Sequence, residues 1–203
     1  SQTLTVIFYG LSALTPNCRA GPGHFVVLRS LMFYTHLRIF QEVYYMRRND
    51  REVESHDWMM EVLDQGQWME LALAGKDGWP YIVPLNYGFS DDFIIIHCAK
   101  EGKKIDLLRE NNKVAFNVAV DAEIIRHEED PTKFSMKYKS VSGRGIAEFI
   151  EDNKEKREAL EIMMEHYRGP KGPMTEEKLS VTAVVKIRIT EITGKVNRYP
   201  KPE

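Results

Sequence analysis

The chain has 203 residues, with 28 Lys and Arg against 30 Asp and Glu and a formal net charge of −2. No block of either sign stands out, which excludes the clustered basic face of a nucleic-acid binder, and the length suits one domain with a substantial core plus an appendage. Two cysteines, Cys18 and Cys98, build no disulfide framework, so the expected compartment is a reducing cytoplasm.

The first 45 residues carry a dense share of the aromatic side chains, which must be buried or aggregate. Thr3 to Leu14 is apolar but falls short of the ~20 residues of a bilayer span. It also lacks the basic lead and small-residue cleavage site of a signal peptide. "TPNCRAGPG" then breaks the chain. His24 to Tyr45 holds Arg29 and Arg38 inside its apolar run, so no membrane span is expected there either. The chain opens with Ser1, and Met46 would make a natural translation start. Residues 1–45 are therefore read as an N-terminal extension and residues 46–203 as the domain.

Regular signals begin after Met46. Ser55 is an N-cap for an amphipathic helix ending at Gln65, with Gly66 as its stop. "WMELALAG" and "WPYIVPLNYGF" are strand-like runs joined by "KDG", a hairpin signal because a tight primed turn needs positive φ. "DDFIIIHCA" reads as a third strand, "KKIDLLREN" as a short helix, and "KVAFNVAV" as a fourth strand. "FSMKYKSVSGRGIAEFI" is a long fifth strand whose Gly143 and Gly145 mark a bulge or a close approach. "DNKEKREALEIMMEHY" is a helix with Leu160, Met163, Met164 and Tyr167 on its apolar face. "SVTAVVKIRITEITGKVN" closes the domain as a sixth strand. Short strands with few helices predict a small antiparallel barrel. The Met59, Met60, Met163 and Met164 pairs read as core filler, and the histidines show no metal-ligand spacing.

One stretch calls for chemistry. In "IIIHCAKEGKK" an apolar strand ends in His97 and Cys98, and Lys103 and Lys104 follow at a helix start, where cations are unfavourable unless an anion binds. Cys98 reads as a small buried residue, since no activating pair is evident.

The segments "MRRNDREV", "DGWPYIVPLNYGF", "IIIHCAKEGKKIDLLREN", "YKSVSGRGIAEFIED" and "VVKIRITEITGK", in this order, resemble the FMN-binding split-barrel proteins related to pyridoxamine 5′-phosphate oxidase. Within them they are similar to the 5-nitroimidazole-resistance, or Nim-like, branch, over about Met46 to Asn197. The resemblance implies a mainly β fold with flanking helices, a six-stranded antiparallel split β-barrel. It also implies bound FMN, with FAD as the variant, at a homodimer interface.

A site for FMN needs a dry flat slot, hydrogen bonds to the ring edge and cations at the phosphate. The resemblance assigns Val83, Pro84, Leu85, Asn86 and Tyr87 to the slot, with His97, Cys98 and Ala99 at the ring zone. Lys104, and less so Lys103, would meet the phosphate. Ser140, Val141, Ser142, Gly143 and Arg144 would add donors and a second cation, with Glu148 as the alternative partner of Arg144. Lys195 and Asn197 would come from the partner chain. The implied reaction is two-electron transfer to a small acceptor such as a nitroaromatic, with His97 orienting it or donating a proton. Two alternatives stay open: another pyridoxamine 5′-phosphate oxidase-related oxidase, and a barrel that binds flavin or haem without turnover.

Overall fold

The computed structural model describes residues 47–170 and 172–202, so the reading of residues 1–45 lies outside the described residues. Strand β1 (Glu52–Val53) leads into helix α1 (His56–Gln65). The hairpin β2 (Met69–Ala74) and β3 (Pro80–Leu85) follows, then β4 (Gly88–Ser90) and β5 (Phe93–Ala99). Helix α2 (Lys103–Glu110) precedes the long strands β6 (Lys113–Ile125) and β7 (Ser135–Ile150). Helices α3 (Asn153–His166) and α4 (Glu176–Val181) lead to β8 (Thr182–Asn197). All pairings are antiparallel, in the order β3-β2-β6-β7-β8-β5-β4, and β1 pairs with β8 off that path.

Alternation in the strands dictates the inner face. Met69, Leu71 and Leu73 of β2 are buried, and Val114, Phe116 and Val118 of β6 meet them from the neighbouring strand. Burying each such side chain contributes about 1.5–3 kcal/mol. Helix α1 closes one end. The Ser55 hydroxyl accepts from Trp58 N at 3.3 Å, and the helix inserts Trp58, Met59, Val62 and Leu63 into the core.

Strand β5 is apolar on both faces for a reason. Ile94 and Ile96 enter the main core, while Ile95 packs with Val184 against Ala159, Leu160 and Met163 of α3. Helix α3 comes this close because Gly88 has no side chain: a Cβ there would lie 2.7 Å from the Met163 backbone.

Eight strands replace the expected six. The run "WPYIVPLNYGF" is broken at Asn86–Tyr87, because the Tyr87 side chain turns wholly inward. Its hydroxyl donates to Leu63 O at 2.5 Å, and its backbone N–H donates to the Tyr167 hydroxyl at 3.1 Å rather than to a strand. The two-residue β1 is too short to carry a periodic signal. Helix α4 was not expected at all: the Thr175 hydroxyl accepts from Lys178 N at 3.4 Å and starts a helix that delays β8 to Thr182. The hairpin turn is as expected, with Gly78 at φ 76°. The irregularity expected near Gly143 and Gly145 is present as a register shift between β7 and β8. It is the protein itself that crowds Gly143, with the Glu191 carbonyl 2.6 Å from where a Cβ would sit.

Tyr87→Phe should keep the fold but leave the buried Leu63 carbonyl without its donor. The expected loss is about 1–3 kcal/mol, read from urea unfolding with an unchanged m-value.

Candidate functional site

The end of β5 gathers three features. The first is His97, which follows Ile95 on the α3 side of the strand and opens into a cavity of about 390 Å³. Its ring is accessible there. Yet protein atoms crowd it enough that desolvation, and after it the positive charge of Lys104, hold its pKa below the ordinary imidazole value. The imidazole is therefore neutral near pH 7.

The second feature is the start of α2. Gly102 caps it with φ 112°, and no side chain caps the helix; Ile105 N–H donates to Gly102 O at 2.8 Å, which leaves the N–H groups of Lys103 and Lys104 without an intrahelical acceptor. Lys103 and Lys104 open this turn. The Lys103 ammonium lies 5.0 Å from the Tyr81 ring centroid and is exposed, whereas Lys104 is half-buried. The Lys104 charge reaches both His97 and Cys98. Burial pushes the Cys98 thiol up more than Lys104 pulls it down, so Cys98 is an inert thiol. An uncapped helix N-terminus with a cation beside it fits an anionic tail of the phosphate kind.

The third feature is the cavity itself. Asn86 and His97 both line it, and helices α3 and α4 roof it with Leu160, Met163, Met164 and Leu179. Met174 and Lys178 complete the roof, with Tyr167 and Thr182 as its hydroxyls. Tyr167 is fixed from both sides, donating to Gln67 O at 3.0 Å and accepting from Tyr87 N. Beside it His166 is buried. Its Nε2 donates to Gly66 O at 3.0 Å, and its Nδ1 has no hydrogen-bond partner, with Asp64 Oδ1 4.0 Å away. Desolvation lowers the His166 pKa in spite of that bond and of Asp64.

The predicted site residues thus separate into three sets. Asn86, His97, Cys98, Ala99, Lys103 and Lys104 lie around the end of β5. A second set lies on the outer sheet face: Pro84 is opposite Glu70, and Glu70 is opposite Asn117. The Ser142 hydroxyl donates to Asn117 Oδ1 at 2.9 Å. Arg144 pairs with Glu191 at 3.5 Å rather than with Glu148, and Lys195 is the cross-strand neighbour of Ser140. The third set faces the core. Val83 and Leu85 pack on it, and the Tyr87, Val141 and Asn197 side chains are buried, the Asn197 amide donating to Met136 O. Burial of these three side chains, and of Ser140, leaves chiefly their backbone groups for contact with a ligand.

Comparison with known proteins places the fold in a family. The family described as pyridoxamine 5′-phosphate oxidase matches residues 55–196. The chain belongs to that family.

Among solved structures, a candidate 5-nitroimidazole antibiotic resistance protein of Bacteroides thetaiotaomicron is 30% identical, with TM-score 0.65. The match covers 71% of this chain and 86% of that one. The FAD and heme binding protein of Mycobacterium smegmatis shares the fold at 19% identity and TM-score 0.66, over 75% of this chain and 76% of that one. The flavocytochrome Anf3 of Azotobacter vinelandii does so at 21% and 0.64, over 78% and 75%. No curated protein matches. Among the described residues, no helix of this family member is long and apolar enough to cross a membrane.

The roof residues of α4 were missed in the sequence. The only signal for them was Thr175 three residues before Lys178, a capping pattern inside a segment otherwise read as loop and strand.

The two lowered histidines set a pH dependence. In the unfolded chain both titrate near ~6.5, and in the fold they hold the neutral form longer. Stability is then intact above about pH 6.5 and falls as pH drops toward the lowered folded values, because the unfolded chain binds protons first. Chemical unfolding at pH 7.5 and 5.5 should show this loss, and His166→Gln should shrink the difference between the two pH values.

Proposed function

We propose that this protein is an FMN-dependent oxidoreductase that delivers two electrons to a small nitroaromatic acceptor. The observation that carries the reading is the meeting, at one strand end, of an accessible neutral imidazole, an uncapped helix start with Lys104, and an apolar cavity. Similarity to the candidate resistance protein supports the acceptor class.

The Lys104 ammonium and the N–H groups of Lys103 and Lys104 at the start of α2 hold the phosphate. FAD presents the same ring and a phosphate at the same distance from it, so it is the variant cofactor. Strand β3 is terminal in the sheet, and its outer edge has no partner strand among the described residues. That edge offers backbone groups to the rim of the ring, and Pro80 and Pro84 suit an edge strand. Bound flavin would supply the electrons, formally as hydride. His97, as the neutral imidazole, orients the acceptor by donating a hydrogen bond to its oxygen, the roof shields the ring, and the protons of the reduction come from solvent.

The second set of residues belongs to the other chain of a homodimer. The outer sheet face supports this, because it exposes Trp79 at 76% and Ile82 at 63% beside a groove of about 470 Å³ lined by Ala72, Ala74 and Ala115. Ser142, Arg144 and Lys195 of that face then complete the partner's site. A flavin-saturated monomer in sedimentation would exclude the shared site. The two cysteines and the cofactor suit a reducing cytoplasm.

Lys104→Ala should weaken FMN binding about 10- to 150-fold, the loss of one charge-assisted bond, while Lys103→Ala changes it little. Flavin titration of both variants decides this. Equal affinities near the wild-type value would remove Lys104 from the site.

His97→Ala should keep the fold and the flavin bands in the near-UV and blue, yet slow reoxidation of the reduced protein by a nitroimidazole about 10²- to 10⁴-fold. A haem Soret band in the purified protein would replace the flavin reading. Normal reoxidation per bound flavin would reduce His97 to a structural residue.

A further inference from the structure

The lining of the cavity is lopsided in charge. Among the described residues, no aspartate or glutamate contributes to it, and with His97 neutral the one formal charge in that lining is the ammonium of Lys178 on α4. Of the charges nearby on α3 and α4, Arg157 pairs with Glu176, and the Asn153 amide donates to the same carboxylate at 2.7 Å, while Glu177 is exposed and does not line the cavity. Among the described residues, Lys178 has no ion pair, and its exposed side chain stands at the rim.

Inside the rim, the wall is made of Leu160, Leu179 and the thioethers of Met163, Met164 and Met174. Thioethers are polarisable, rotate freely and make favourable contacts with aromatic rings. A cavity of about 150 Å³ already admits benzene, so 390 Å³ has room for a substituted ring system. A cationic guest would meet Lys178 at the mouth and the field of Lys104 at His97. A carboxylate buried at depth would lose its hydration without a partner, but at the rim it keeps part of its water and gains Lys178.

We infer that the cavity receives an amphipathic organic anion, with an aromatic body against the three thioethers and an anionic group turned to Lys178. This rests on the reading of the cavity as the acceptor's side, and it narrows the acceptor from nitroaromatics in general to those carrying an acidic group.

The test uses a matched pair, 4-nitrobenzoate and nitrobenzene, on the full chain as purified. Binding is followed by NMR of methionine methyl groups, assigned by substitution. The expected result is saturable shifts at Met163, Met164 and Met174, with the carboxylate bound about fivefold more tightly, as for a partly exposed ion pair. Lys178→Gln should abolish that preference and Lys178→Arg retain it, both with wild-type melting temperatures. Equal affinities, a preference that survives Lys178→Gln, or shifts confined to other methionines would overturn the inference. Reoxidation of the reduced protein by the same two compounds separates it from the underlying reading. Selective binding of 4-nitrobenzoate without electron transfer upholds the anion site and defeats the reductase. Reoxidation by both compounds at equal affinity does the reverse.

Discussion

The position of one buried phenol governs how the site is assembled. Tyr87 is wholly buried, and its hydroxyl ends on the carbonyl of Leu63, inside the last turn of α1. Burial pushes its pKa far up, so the hydroxyl stays a donor at any accessible pH. Sending this side chain inward forces the chain out of the strand one residue earlier. Asn86 is thereby turned into the cavity, and β4 restarts beyond Tyr87. The ring also stacks on His166, with centroids 4.7 Å apart, and its N–H is held by Tyr167. A single residue therefore ties α1, the β3–β4 break and α3 together. The unsatisfied Nδ1 of His166 is the cost of packing three rings around that knot.

The electrostatics follow from the same packing. An imidazole beside a lysine would usually be drawn toward a carboxylate, which would raise its pKa and store a charge. Here no carboxylate of the described residues lines the cavity, so desolvation and Lys104 act in one direction and keep His97 neutral. A neutral ring can accept one hydrogen bond and donate another, which suits a group meant to meet a varied guest. The positive charge is left to Lys104 and Lys178, where an anion can answer it. Arg144, Lys137 and Lys139, by contrast, are each matched by a carboxylate on the outer face of the strands.

Much of the domain was legible in the sequence, for physical reasons that differ by element. The hairpin could be read from Asp77–Gly78 because positive φ is a local demand. Helix α1 could be read from Ser55 because a cap is local too. The two-faced apolarity of β5 signalled burial on both sides but not by what, since the distance from α3 to Gly88 is a tertiary fact. The break at Tyr87 was not legible because an aromatic residue in a strand-like run looks the same whether the strand continues through it or its side chain turns into the core. The gathering of His97 and Lys104 was legible through the turn between β5 and α2. The roof of α4 was not, because six residues carry too few turns to show a period.

Rigidity and plasticity are divided between frame and lining in the cavity. Helix α3 is pinned where its backbone touches Gly88 and where Tyr167 bridges Gln67 and Tyr87, so the helix cannot rise to admit a larger guest without breaking buried contacts. Adjustment then falls to the side chains. Leucine or isoleucine at Met164 and Met174 would fix the shape of the space through branched, rotamer-restricted carbons. Unbranched thioethers leave it adaptable at little energetic cost. Met164 already shows this use of its reach, folding its methyl group against Gly169 at the end of the helix. Selectivity on this reading falls to the polar groups of the lining, Asn86, His97 and Lys178, while the methionine wall adapts to the flat body that those three allow in.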